Sequence, residues 1–242
     1  MTKIYVTRKM RGKLEGIMSI NTSPVDNKFC NAMAKTDTIC GECYSRKSME
    51  GYLKICRPRW KTNGKILSSN IISLDELPTI KDDIFRFDAH GELHNNINLI
   101  NYMNIAKVNP HCYIVLWTKR KELVKEQGRK IPKNLSLIYS TAKCDVLKPK
   151  RPAYFKKVFS VYTAQFAADN NIDINCGYAD SCIACRPTRE ECRVCDVSKC
   201  AGCRLCYEDN DTVFVNEIIK SERAVYRNIM RKLHGLQTRA TA

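Results

Sequence analysis

No apolar run in the 242 residues approaches the roughly 18 needed for a membrane-spanning helix, which argues against a membrane protein. The first sixteen residues, MTKIYVTRKMRGKLEG, hold neither an apolar h-region nor a cleavage site and do not read as a secretory signal. Internal repeats and low-complexity segments are also missing, which sets repeat architectures aside. Acidic charge is in short supply. There are 25 Asp and Glu against 41 Lys and Arg, for a formal net charge of +16. The excess gathers in KRKELVKEQGRK (119–130), KPKRPAYFKK (148–157) and KSERAVYRNIMRKLHGLQTR (220–239). Such a balance suits nucleic acid or another polyanion as partner. The bland alternative is a solvated basic surface. No recognition helix or RNP-like motif decides between them.

What the chain has in plenty is cysteine, 14 residues in all. Disulfides and metal are the two ordinary uses. Without a signal peptide the chain is expected in the cytoplasm, where thiols stay reduced and close spacings read as metal sites. Disulfide scaffolds are also mostly shorter than ~100 residues, whereas this chain is long enough for one domain of about 200 residues plus an appendage.

Two cysteine groups stand apart. Cys30, Cys40 and Cys43 lie in CNAMAKTDTICGECY, where the CxxC of Cys40 and Cys43 can grip one metal or cluster and Gly41 eases the turn. Three ligands on a four-iron cluster leave one iron open. Cys56, thirteen residues on, either closes the set or is a core thiol. The second group runs from Cys176 to Cys206, eight cysteines in thirty-one residues. Cys200, Cys203 and Cys206 form the C-x2-C-x2-C of ferredoxin-type clusters. No cysteine follows, so a fourth ligand comes from upstream, and Cys176 is the natural choice. Cys182, Cys185, Cys192 and Cys195 form CxxC-x6-CxxC, which suits zinc or iron. Two four-cysteine sites result, with structural zinc as the alternative. Cys112 and Cys144 read as core.

Short apolar runs at 16–20, 83–88, 112–118, 135–140 and 158–163, with a weaker one at 171–176, read as strands buried on both faces. Helical patterns fall between them. One within NNINLINYMNIAKVNP (95–110) is capped by Asn95 or Asn96 and stopped by Pro110; another at 119–128 ends at Gly128; a longer one spans 43–67 and breaks near Pro58. Alternating strand and helix implies a parallel sheet. Six strands predict a partial (β/α)6 barrel over 1–175, with a flat doubly wound sheet as runner-up. A Cys-rich segment follows at 176–212. A basic helix over 213–242 packs back on the barrel, its apolar face running 215, 218, 219, 225, 229, 230 and 233, with Lys220, Arg223, Arg227 and Arg231 outside.

FRFDAHGELHN (85–95) carries the remaining signal. Gly91 permits a close backbone approach, and Glu92 at the strand end can accept from a ligand ammonium. The plainer reading is a strand-to-helix turn. His90 and His94 are a possible but Gly-interrupted metal pair.

These motifs resemble the radical S-adenosylmethionine enzymes, whose (β/α)6 barrel carries a three-cysteine cluster loop after the first strand and a Gly-Gly-Glu turn after the second. More closely, Cys30…Cys40-x2-Cys43-Tyr44, Arg86…His90-Gly91-Glu92, NPHCYIVLWTKR (109–120), NLSLIYS (134–140) and the cysteine-rich end resemble the gene-product-eighty-eight family of phage proteins. The similarity covers most of 16–206. It implies a catalytic cluster on Cys30, Cys40 and Cys43, S-adenosylmethionine beside Tyr44, His90, Gly91 and Glu92, and one or two auxiliary clusters on the later cysteines. The total is one to three 4Fe–4S clusters, with zinc as the alternative at one of the four-cysteine sites. It also implies one-electron cleavage of the sulfonium, an electron-donor partner protein and residence in a host cytoplasm. The chain departs from the enzymes in having C-x9-C-x2-C for C-x3-C-x2-C, and His90 for the first glycine. A cluster- or zinc-stapled nucleic-acid-binding protein and an electron-transfer protein are the competing functions. No catalytic side chain is nameable from sequence.

Overall fold

The computed structural model describes residues 3–8, 10, 12–176 and 200–233. The sheet has seven strands in the order of the chain: β1 (Val6–Thr7), β2 (Met18–Ile20), β3 (Ile84–Phe87), β4 (Tyr113–Thr118), β5 (Leu135–Ser140), β6 (Lys157–Tyr162) and β7 (Phe214–Ile218). The short β1 pairs antiparallel to β2, and every other pair is parallel. The sheet is open, with β1 and β7 at its edges. The strand order never reverses, as it does in a doubly wound sheet.

The helices are α1 (Lys28–Met33), α2 (Tyr44–Glu50), α3 (Arg57–Ser69), α4 (Asn96–Val108), α5 (Lys121–Gln127), α6 (Ala164–Asp169), α7 (Cys200–Cys203) and α8 (Arg223–Leu233). Side chains alternate across a strand, so each strand contributes to two cores. On one face Ile20, Phe85, Phe87, Ile114, Leu116, Leu135 and Leu137 pack against Leu67 of α3, Leu99 and Tyr102 of α4, and Val124 of α5. Tyr162 and Ile218 extend that face toward α6 and α8. The opposite face, called inner below, carries Ile84, Val115, Ile138, Phe159 and Val215, and is covered by Leu14, Ile17, Cys206 and Tyr207.

Five sequence-expected strands are present. The run at 171–176 is not a strand, although the Cys176 amide donates to the Asn216 carbonyl of β7 at 2.9 Å. The sixth parallel strand is β7, in the stretch read as one basic helix. Arg223 is not outside either: it turns back onto the buried Glu217. Val225, expected on the apolar face of that helix, is exposed, and Tyr226 is buried instead. Asn95 caps α4 by accepting from the Asn98 amide, and Gly128 ends α5 with a positive φ of 49°. The expected 43–67 helix is divided: α2 stops at Glu50, and Pro58 sits in the first turn of α3, where its missing N–H costs nothing. Among the described residues no helix is long and apolar enough to cross a membrane.

Candidate functional site

The carboxyl ends of β2 to β5 meet at one mouth, where side chains from several loops converge. The chain leaves β2 through Asn21 and Thr22 and enters α1 at Asn27. The Asn27 side-chain oxygen caps α1 by accepting from the Phe29 and Cys30 amides, at 2.9 and 3.3 Å. Its amide group donates to the Glu92 carbonyl at 2.8 Å. One asparagine thus fixes Cys30 against the turn after β3. The cysteine loop is held from another side by the Ile39 amide, which donates to the Ala142 carbonyl beyond β5 at 3.0 Å. Cys43 forms the N-cap of α2.

The three thiols share one electrostatic neighbourhood. Burial pushes the Cys30 thiol well above the ordinary range, and Glu92, Cys43, Cys40 and Asp88 push it further. Burial also raises Cys40, while the Lys119 ammonium opposes the rise. Cys56, at the N-terminus of α3, is not among the groups acting most strongly on either thiol.

Gly91 turns the chain with φ at +119°. A Cβ there would stand 2.2 Å from Thr22 Oγ1 and 2.6 Å from the Thr22 carbonyl, so only glycine fits the turn. Glu92 follows, 6% exposed. Its carboxylate accepts from the Leu93 amide at 2.8 Å, from the Lys119 amide at 2.9 Å and from Thr118 Oγ1. Burial raises its pKa against the pull of these donors. Four lone-pair sites and three protein donors leave room for a ligand donor. Asp88 lies beneath with φ at +47° and accepts from the Thr22 amide and hydroxyl and from Tyr102. Lys119 Nζ donates to Ser140 Oγ at 2.7 Å. Arg120 reaches back to the Leu93 and His94 carbonyls and lies over the Phe29 ring, beside Cys30.

His90 and Tyr44 flank this mouth. The His90 ring is hydrogen-bonded to Ser45 and stacked on Trp60, which docks α2 and α3 onto the turn. His94 points elsewhere, its ring against Gly64 of α3. The Tyr44 hydroxyl donates to the Ala89 carbonyl at 3.4 Å, and Arg86, Lys13 and Glu217 act on it electrostatically.

Cys176, Cys200 and Cys206 all pack in the inner-face core, and Cys203 is exposed nearby. Cys200 and Cys203 act on both Cys176 and Cys206. Three of the four thiols read as one ligand set, Cys176, Cys200 and Cys206, thus lie on the same face of the sheet. Cys182, Cys185, Cys192 and Cys195 lie outside the described residues. Cys112 is buried in the core as expected, and Cys144 is half-buried, its thiol 3.1 Å from the Val161 carbonyl. Among the described residues no three His, Cys, Asp or Glu side chains converge on the position of a single metal ion. A four-iron cluster sets its ligands on separate irons, so its sulfurs stand further apart than those around one ion.

Two of the basic segments meet at the other end of the sheet. Gly128, Arg129, Lys133, Tyr154 and Lys156 line one groove, with Tyr154 about half exposed and at a φ of 70°. Lys156 is paired there with Asp209.

Sequence reasoning passed over Asn27, Thr22, Thr118, Lys119 and Arg120. Their signal was position: each sits at or just beyond the carboxyl end of a strand, where parallel α/β folds build sites. Comparison with protein-family models, curated proteins and solved structures gives no match.

Proposed function

We propose that this chain is an iron–sulfur protein resembling radical S-adenosylmethionine enzymes, built as a partial (β/α)6 barrel. Cys30, Cys40 and Cys43 would hold a 4Fe–4S cluster with one open iron, and S-adenosylmethionine would lie beside Gly91 and Glu92. The observation that carries the reading is the shared mouth: three thiols and the fixed Glu92 carboxylate at the carboxyl ends of adjacent parallel strands. The donor set fits in number, since three thiols would leave one iron of such a cluster without a protein ligand.

When bound, such a cluster supplies one electron to a sulfonium. The chain's own residues position and shield. Glu92, immobilised by Thr118 and the Lys119 amide, accepts from a ligand ammonium through a charge-assisted hydrogen bond. Gly91 allows the ligand to approach the backbone. Lys119 offers a counter-charge to a ligand carboxylate. Asp88, Thr22 and Tyr102 floor the mouth, bonded to one another. The cysteines of 176–206 serve as auxiliary centres, of iron or zinc. An electron-transfer protein uses the same ligands without the ammonium contact.

Anaerobic reconstitution tests the reading, with iron and sulfide counts and EPR of the reduced protein. Adding S-adenosylmethionine should change the signal. Glu92→Gln should weaken that response about 10- to 150-fold in ligand concentration while iron content holds, in keeping with the ~1.5–3 kcal/mol of one charged hydrogen bond. Cys40→Ala should remove the cluster. An EPR signal indifferent to S-adenosylmethionine defeats the proposal and favours electron transfer.

The groove around Tyr154 favours a second reading, polyanion binding at the opposite end of the sheet, because it unites two basic segments around an exposed aromatic ring.

A further inference from the structure

Parallel strands are usually joined by a helix, but β5 and β6 are not. Residues 141–156 between them contain neither helix nor strand, and they run from the cysteine mouth to the Tyr154 groove at the other end of the sheet. The connection is nonetheless pinned along its length. At the mouth the Ala142 carbonyl accepts from the Ile39 amide of the cysteine loop at 3.0 Å. The Asp145 carboxylate accepts from the Thr163 amide and hydroxyl, at 2.7 and 3.0 Å, and the Tyr162 hydroxyl donates to the Val146 carbonyl at 3.2 Å. Further on Pro149 is buried, Phe155 packs in the core against the Tyr139 ring, and Arg151 donates to the Lys156 carbonyl at 3.0 Å. What this track turns outward is basic and unpaired. Lys143, Lys148, Lys150 and Arg151 are exposed, and among the described residues none of them forms an ion pair. The one carboxylate of the track, Asp145, is occupied at the start of α6. Leu147 and Tyr154 are exposed beside the cations. Lys148 and Tyr154 hold φ at 42° and 70°, a region that bulky side chains avoid, and strain of that kind gathers where ligands are held.

We infer that a single strand of nucleic acid lies along 141–156, from the Tyr154 groove to the cysteine mouth, and that nucleic acid is the substrate class presented to that mouth. This rests on the polyanion reading of the groove, and not on any metal at the cysteines. A strand rises about 3.3 Å per residue, so the six residues of β5 separate the two ends by about 20 Å. At the 3.4 Å repeat of a stacked strand that distance takes about six nucleotides. Adding Arg129 and Lys133 of the groove to the four cations of the track gives about one positive charge for each phosphate. Stacking on Tyr154 needs a base free of its partner, which a duplex does not offer. An acidic peptide has the charge but no bases to stack.

The test uses the metal-free full chain and labelled oligothymidylates, read by fluorescence anisotropy. Affinity should climb with length up to about six nucleotides and then level. Lys148→Gln, Lys150→Gln and Arg151→Gln together should lower the slope of log affinity against log salt by about 2, at about 0.7 per cation, while circular dichroism stays unchanged. A slope lowered by Arg129→Ala with Lys133→Ala, but indifferent to the triple variant, overturns the track and leaves the groove standing. No binding at low salt overturns both. Equal affinity for duplex DNA or for polyglutamate overturns the single strand as occupant. The mouth is tested with an oligothymidylate of that length carrying a pyridyl disulfide at one end or the other. From one of the two ends, thiol exchange at Cys40 or Cys43, mapped by mass spectrometry, should run about tenfold or more faster than with the free disulfide at equal concentration. The triple variant should lose that advantage. Exchange no faster than with the free disulfide, from either end, overturns the mouth as the strand's destination.

Discussion

Gly91 and Asp88 show how tightly the mouth is determined at single residues. A methyl group at 91 would meet both the side chain and the carbonyl of Thr22, on a backbone that L-residues avoid. Gly91→Ala should therefore cost about 3–5 kcal/mol from strain and overpacking together, read as a lowered urea midpoint. Asp88 carries a pH signature. Burial raises its carboxyl pKa to about 7, against the hydrogen bonds from Thr22 and Tyr102. In the unfolded chain it titrates near ~3.9. Between these values the native state holds a proton that the unfolded state has lost, so stability falls as pH rises from about 4 to about 7. Urea titrations of metal-free protein across that window should show the fall, and Asp88→Asn should flatten it. An unchanged slope in the variant would assign the effect to another group.

At the level of elements, β7 decides whether the sheet is complete. Val215 belongs to the inner core, and Ile218 to the core under α6 and α8. A chain ending at residue 212 should lose both, expose β6 as an edge, and fail to unfold cooperatively in a thermal melt. If the segment were only an added helix, truncation would leave the melt largely intact. The five strands legible in the sequence are those whose apolar runs admit no helical period, such as YIVLWT and LSLIYS. FVNEI hid because Asn216 and Glu217 interrupt it, and because 215, 218 and 219 fit a helix as well as a strand. Glu217 is tolerated in a buried strand only through Lys13 and Arg223, partners that are distant in sequence or across a turn. The mouth was legible where chemistry repeats in a short window, as with Cys40, Cys43, Gly91 and Glu92. Arg86, Lys13 and Tyr207 were not, since each matters only through what covers the inner face.

For the whole molecule, part of the net charge of +16 gathers in one groove. Arg129, Lys133 and Lys156 stand together at the end of the sheet opposite the cysteine mouth. Single-stranded nucleic acid should bind there with log affinity falling against log salt by about 0.7 per phosphate neutralised. Replacing Arg129 and Lys133 by alanine should reduce that slope by about 0.7–1.4, measured by fluorescence anisotropy, and Tyr154→Ala should weaken binding with the slope unchanged. A slope indifferent to all three substitutions would leave the charge as a solvated surface.

The strand pair β6 and β7 has a consequence for how the chain is put together. The two strands are neighbours in the sheet, yet the chain travels from Tyr162 to Phe214 between them and passes through every one of the later cysteines on the way. Those cysteines are therefore carried between two paired strands, not hung from the end of the sheet as a tail. Synthesis delivers them before the last strand exists. A peptide bond cut at residues 177–199 would leave both fragments still joined, by the β6–β7 ladder and by α8 packed on α6. The two halves, made separately, should find each other and complete the sheet. A split reporter built at that point would register assembly of the cysteine segment as association of two chains.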